Sequence, residues 1–232
     1  MNMSDQTVLR NVWAFVQLTR PLFLFGGVVL YALGTAIAAS QGIALDAGRL
    51  VIGQILVTSI QVMAHYGNEY YDFEVDRLVG EKRTWFSGGS GILAAGKLDR
   101  NVARRAAYVC AAVAVGAIAV AALQSPIMLV IGALSFLGSW FYSAPPLALM
   151  GSGFGELTTS ILTGLLVPLT GYALQAGHVD PSVVAIGAPL VLIYLAMIIT
   201  FEFPDYEADA RVGKRTLAVR LGLRRVALLH NA

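Results

Sequence analysis

Asn68, Asp72 and Asp76 stand four residues apart, and Asp205 and Asp209 repeat the step 133 residues later. Each set belongs to a longer acidic phrase, Glu69-Tyr70-Tyr71-Asp72-Phe73-Glu74-Val75-Asp76 and Glu202-Phe203-Pro204-Asp205-Tyr206-Glu207-Ala208-Asp209, and each phrase follows a long apolar run. Both lead into Val-Gly and a Lys-Arg-Thr triplet, Lys82-Arg83-Thr84 and Lys214-Arg215-Thr216, with Glu81 as one extra residue in the first copy. Eight of the chain's 14 carboxylates lie in these two octapeptides, so folding must either neutralise repelling charges in one place or leave them apart in solvent. Carboxylate clusters followed by cations point to a divalent metal and a polyphosphate. An all-oxygen donor set suits Mg²⁺, which keeps several waters and shares phosphate oxygens.

If the preceding helix runs on through the first phrase, each four-residue step turns only about 40°. Asn68, Asp72 and Asp76 then project from one face over roughly 12 Å, and Glu74 points away. Asp205 and Asp209 share a face in the same manner, with Glu207 turned aside, and Pro204 either opens a new helix or kinks the old one. One such cluster is readily explained as the solvated end of a membrane helix. Two copies that agree in acidic spacing, aromatic interleaving and trailing Lys-Arg-Thr are not.

The elements that carry these phrases are membrane helices by composition. Of 232 residues 57% are hydrophobic and 13% charged, and mean hydropathy is +0.70, outside the usual soluble range. Apolar stretches near 22–40, 50–67, 102–123, 126–143, 154–175 and 182–203 each approach the ~20 residues that cross a ~30 Å hydrocarbon core as a self-satisfied helix. The expectation is an all-α polytopic bundle of six spanning helices, one domain over residues 1–232. With a cytoplasmic amino terminus, segments 1–21, 68–101, 144–153 and 204–232 and their flanking helix ends hold 15 of the 16 Lys and Arg residues, leaving only Arg49 outside. Both acidic phrases are then expected to face the cytoplasm, at the cytoplasmic (inner) membrane.

The amino-terminal apolar run begins only after Arg20-Pro21 and reads as a retained helix rather than a cleaved signal. Val8, Val12, Phe15 and Val16, with Trp13 nearby, fall at helical spacing, as an interfacial helix or as an extension of the first span. Cys110 is the only cysteine, which excludes an intrachain disulfide and a cysteine-based metal site. His65, one turn before Asn68, reads as a packed or hydrogen-bonded histidine rather than a base.

Asn68-x-x-x-Asp72-x-x-x-Asp76, and Asp205-x-x-x-Asp209 followed by Gly213-Lys214-Arg215-Thr216-Leu217-Ala218-Val219-Arg220-Leu221-Gly222, resemble the paired aspartate motifs of the UbiA superfamily of intramembrane prenyltransferases. Thr19-Arg20-Pro21, Tyr142-Ser143-Ala144-Pro145-Pro146-Leu147 and Gly153-Phe154-Gly155-Glu156 resemble further signatures of that family, so the likeness runs over essentially the whole chain. The resemblance implies transfer of an isoprenoid chain from its diphosphate to an acceptor, usually aromatic, in a helical bundle whose aspartate loops hold Mg²⁺ and diphosphate. Carried over by position, Asn68, Asp72, Asp76, Asp205 and Asp209 would hold metal and diphosphate. Lys82, Arg83, Lys214 and Arg215 would contact diphosphate oxygens, although basic loops also serve orientation alone. Tyr142 and Glu156 would sit near the mouth and orient the acceptor; a membrane-buried Glu156 is costly and hence a functional candidate, with capping or pinning of a helix as the other use.

The motif wording is most similar to the dihydroxynaphthoate polyprenyltransferase branch of menaquinone synthesis. Hydroxybenzoate, homogentisate, chlorophyllide, haem and glycerol-ether acceptors belong to related branches. Expected partners are a prenyl diphosphate, an aromatic small molecule and the lipid bilayer, with no nucleic acid. The family pattern has nine spanning helices, whereas this chain runs 23 residues past Asp209 and its segment 217–229, with Arg220, Arg224 and Arg225, does not read as a span. The expectation is therefore a chain truncated relative to the family, with weak or no turnover on its own. A transporter would place its ionisable groups near the bilayer midplane rather than at a rim. A non-catalytic membrane subunit is the other alternative.

Overall fold

The computed structural model describes residues 3–80 and 83–230, and among these every regular element is helical. Helix α1 (Met3–Leu18) precedes α2 (Pro21–Ser40) and α3 (Ala47–Tyr71), which continues after a bend at Asp72 as α4 (Phe73–Val79). A loop over 83–99 leads to α5 (Arg100–Gln124) and α6 (Ile127–Ser143). Then α7 (Gly155–Ile161), a π-helical turn at Leu162–Leu166 and α8 (Val167–Ala176) form one rod, followed by α9 (Pro181–Glu202). Three short helices close the chain, α10 (Tyr206–Arg211), α11 (Leu217–Leu221) and α12 (Leu223–His230).

Five of the six predicted apolar stretches form helices long and apolar enough to cross a membrane. The sixth, 126–143, forms the apolar 17-residue α6. Outer faces stay apolar where they have no protein neighbour: Val109 on α5 is 63% exposed and Leu192 on α9 is 67% exposed, as expected of surfaces that meet lipid. Trp13 and Trp85, both exposed, stand at the end of the bundle that carries the aspartates, where interfacial aromatics belong.

Small residues let the long helices approach. Buried Ala103, Ala107, Ala111, Ala114, Ala117 and Ala121 form a stripe along α5, which packs against α3. Helices α2 and α8 come closer still. A Cβ at Gly34 would lie 1.8 Å from the carbonyl oxygen of Pro168, and one at Gly171 would lie 2.3 Å from that of Tyr31. Backbone-to-backbone packing of this kind supplies dispersion contacts where lipid offers no hydrophobic drive. The π-helical turn precedes Pro168, whose missing N–H leaves the carbonyl four residues back without its usual donor and favours local widening.

At the end away from the aspartates, Arg49 donates to the carbonyls of Leu174 (3.3 Å) and Gln175 (3.0 Å), so the one cation predicted on that side caps the carboxyl end of α8. At the aspartate end, α1 is a helix in its own right rather than an extension of α2. Arg20 breaks the path between them with left-handed φ 52° and ψ 64°. Ala14 and Leu18 of α1 pack with Tyr66, Ile92, Leu93, Ala103 and Ala107, tying α1 and the 83–99 loop to α3 and α5.

Candidate functional site

Helix α3 unwinds for one residue at Asp72, whose N–H still donates to Asn68 O (2.8 Å), and α4 resumes the same course with Asp76 N–H bonded to Asp72 O (3.0 Å). The four-residue ladder therefore survives the bend. Asn68, Asp72 and Asp76 all line one cavity, while Glu74 faces outward beside Arg77 at 3.8 Å. Pro204 lies in the turn between α9 and α10, and Asp205 becomes the cap residue of α10. Asp205 and Asp209 line the same cavity as the first set. The apolar backs of the two motif helices, Val75 and Val79 on α4 and Ala208 on α10, pack on one another.

Lys214 joins the two motifs. Its ammonium pairs with Asp72 Oδ1 and lies 3.4 Å from Asp209 Oδ1. Burial would lower the pKa of that amine, but Asp72 and Asp209 outweigh burial and hold it above its ordinary value. Burial pushes Asp76 up to about 8, with the charges of Asp72 and Glu69 adding to the shift. Burial likewise raises Asp205 to about 6 against the opposing Gly88 N–H, and it raises Asp209 against the opposing Lys214. Asp205 Oδ1 is buried without a hydrogen-bond partner. Among lining residues, Asp72, Asp76, Asp205, Asp209 and Glu202 face only Arg20 and Lys214 as cations. Such a site attracts further positive charge.

Arg20, whose importance the sequence carried only as part of a short signature, is a second organiser. Its Nε and Nη2 both donate to Glu69 Oε1 (2.9 and 2.6 Å), and Nη2 also reaches Asn68 Oδ1 at 3.2 Å. Glu69, 1% exposed, accepts in addition from Ser90 N (2.6 Å) and Ser90 Oγ (2.9 Å). Burial alone would lower the Arg20 pKa; Glu69, Asp76 and Asp72 hold it raised. The Ser87-Gly88-Gly89-Ser90-Gly91 loop thus folds back onto the acidic site, where Gly88 N also donates to Asp205 Oδ2 at 3.1 Å. At Gly89, φ is 67° and a Cβ would fall 2.0 Å from Asp76 Oδ2, so no larger residue fits unchanged.

The remaining predicted residues are distributed around this centre. Tyr142 lines the cavity. Arg83 is exposed and braces the glycine loop through Ser90 O (2.9 Å). Arg215 is exposed, its backbone N–H bonded to Gly151 O (2.9 Å). Glu156 is buried beside the cavity rather than in its lining, and its Oε1 accepts from Leu217 N at 2.6 Å. Lys82 lies outside the described residues. His65 lines the cavity and is hydrogen-bonded to Thr19 O (2.8 Å), a packed histidine as predicted.

The cavity holds ≈ 580 Å³ and runs inward from the aspartates. Along α3 its lining descends from Asp72 through Asn68, Gln61 and Ile60 to Val57 and Leu56, roughly 18 Å of helix below Asn68. Polar groups crowd its mouth, where Leu22 stands two residues from Arg20, and Leu162, Val167, Met197 and Ile198 line it farther in. Among the described residues no three Asp, Glu, His or Cys side chains close on one point. A cation here would complete its shell with water and a ligand's oxygens, the habit of Mg²⁺.

The sequence pattern of the UbiA prenyltransferase family matches residues 27–232. The 1,4-dihydroxy-2-naphthoate octaprenyltransferase of Bacillus subtilis is 25% identical over 206 residues, covering 89% of this chain and 65% of the relative. The protein of the same name from Mycobacterium tuberculosis is 32% identical over 120 residues, covering 50% of this chain and 41% of that one. The chain thus spans less than two thirds of the length of these two curated relatives. A solved UbiA homolog from Archaeoglobus fulgidus bound to GPP and Mg²⁺ superposes with a TM-score of 0.72 at 19% identity, covering 94% of this chain and 73% of that one. With the family pattern spread over nearly the whole chain and the fold shared, the chain belongs to the UbiA prenyltransferase family.

Proposed function

We propose that this chain moves a polyprenyl group from an allylic diphosphate to an aromatic acceptor inside the membrane, with Mg²⁺, in quinone synthesis of the menaquinone type. The observation that carries the reading is Lys214 seated between Asp72 and Asp209 at the mouth of an apolar cavity: a cation already marks where the two motifs meet. The names of the two bacterial relatives support a naphthoate acceptor, and the Mg²⁺ and GPP of the archaeal homolog support the donor class.

The oxygen donors Asn68, Asp72, Asp76, Asp205 and Asp209 would hold Mg²⁺, and the partnerless Asp205 Oδ1 fits that use. When bound, Mg²⁺ would neutralise charge that develops on the diphosphate as its bond to carbon breaks. Lys214, released from Asp72 and Asp209 as metal binds, and Arg20 would add positive charge to the same oxygens and stabilise the departing group. The electron pair of the allylic carbon–oxygen bond leaves with diphosphate. The allylic cation then bonds to a ring carbon of the acceptor, and the C–H bond at that carbon breaks, its proton passing to the released diphosphate and its electron pair restoring aromaticity. Apolar walls from Leu22 to Val57 hold the tail and keep water from the cation. Tyr142, in the lining near the mouth, would orient the acceptor.

Purified protein given labelled prenyl diphosphate and 1,4-dihydroxy-2-naphthoate should form a lipid-soluble product and release diphosphate only with Mg²⁺. Hydroxybenzoate, homogentisate and a glycerol-phosphate ether, run in parallel, identify the acceptor. Absence of transfer to every acceptor, together with no Mg²⁺-dependent binding of the prenyl diphosphate, would overturn the reading.

A further inference from the structure

Two carboxyls, one buried and one half-buried, make no ion pair among the described residues and hold the chain just beyond the site's lysine. Glu156 opens α7 and Glu202 closes α9, and both turn to the first amides of α11. Glu156 Oε1 accepts from Leu217 N at 2.6 Å, and Glu202 Oε2 accepts from Ala218 N at 3.2 Å. The two carboxyls also meet one another. Thr216, 3% exposed, caps the same helix through Val219 N at 3.3 Å. Upstream, Lys214 N donates to Asp209 O (3.0 Å) and Arg215 N to Gly151 O (2.9 Å). The Lys214–Thr216 segment is therefore pinned at both ends, and its backbone has little freedom left.

We infer that Glu156 and Glu202 are positioning residues that fix Lys214 on the two aspartate motifs by holding the amides of Leu217 and Ala218. Burying two acidic groups side by side to bind two backbone N–H groups is expensive. A Ser or Thr could cap α11 alone, and Thr216 already does so. What the carboxylates add is a rigid tie from α7 and α9 to a point three residues past Lys214, which sets the reach of its side chain. The inference rests on the reading that Lys214 serves the diphosphate.

The test is calorimetric binding of inorganic diphosphate with Mg²⁺ to the full chain in detergent. Lys214→Ala should weaken binding about tenfold or more, the scale of one charge-assisted hydrogen bond; no change there refutes the role of Lys214 itself. Given that loss, Glu156→Ala should weaken diphosphate binding by a comparable factor, and the double variant with Lys214→Ala should be little worse than either single one. Glu156→Gln should stay within about threefold of the parent, because its amide oxygen still accepts from Leu217 N–H. Leu217→Pro removes the amide instead of the carboxylate, at a first helical position where proline is tolerated, and should reproduce Glu156→Ala. Unchanged diphosphate affinity in Glu156→Ala or in Leu217→Pro, multiplicative losses in the double variant, or a Gln variant as weak as Ala would each overturn the inference.

Discussion

Four aspartates and one lysine compete for the same small volume, and protons decide part of the outcome. Asp76, pushed up to about 8 by burial and by Asp72 and Glu69, keeps its proton at neutral pH until a cation arrives. Metal must displace that proton, so Mg²⁺ affinity should rise about tenfold per pH unit between about 6 and 8 and level off above; below about 6 it should steepen, because Asp205 must ionise too. Calorimetric titration at several pH values checks this, and Asp76→Asn should flatten the upper part. Stability of the metal-free chain should run the other way. A carboxyl whose folded pKa is raised stabilises the fold fully below its unfolded value near ~3.9, and the contribution fades as pH rises toward about 8. Lys214→Met removes the internal counter-charge, so its metal-free midpoint of thermal unfolding should fall and Mg²⁺ should raise that midpoint by more than in the parent. A Mg²⁺ increment equal in both proteins would contradict the assignment of one shared cation position.

Elements succeed or fail here on close approach. Gly89→Ala would drive a Cβ into Asp76 in a left-handed backbone, so Mg²⁺ affinity should drop at least about tenfold while the helical circular-dichroism signal is kept. Gly34→Leu would wedge α2 from α8, and folded yield in detergent should collapse. The long helices were legible because apolar runs of spanning length announce themselves locally: predicted 22–40 became Pro21–Ser40 and predicted 182–203 became Pro181–Glu202. The aspartate ladder was legible for the same reason, since its spacing is a local property of one helix. The glycine loop's return to Asp205 and Glu69, the Arg20–Glu69 pair and the attachment of Glu156 to Leu217 were not. Those contacts span 21 to 117 residues and depend on which helix ends are neighbours. The Ser87-Gly-Gly-Ser-Gly run beside the first Lys-Arg-Thr was the available signal for the loop.

The molecule as a whole is an integral membrane protein whose polar chemistry sits at one end of an apolar bundle. Under the proposed function that polarity would order the reaction, with charge handled at the mouth and the tail received below it. Val57 and Val167 line the cavity from α3 and α8, far from the aspartates. Val57→Trp or Val167→Trp should shorten the usable space and lower kcat/KM for long-chain donors at least about tenfold more than for a short one such as dimethylallyl diphosphate. Equal loss across donor lengths would mean that the tail lies elsewhere. The most direct test of the central claim, that both motifs grip one metal-bound leaving group, is binding of Mn²⁺ in the presence of inorganic diphosphate, read by electron paramagnetic resonance. Asp72→Ala and Asp209→Ala should each abolish the same diphosphate-dependent signal, and the pair together should do no further harm. Retention of that signal in either single variant would contradict the claim.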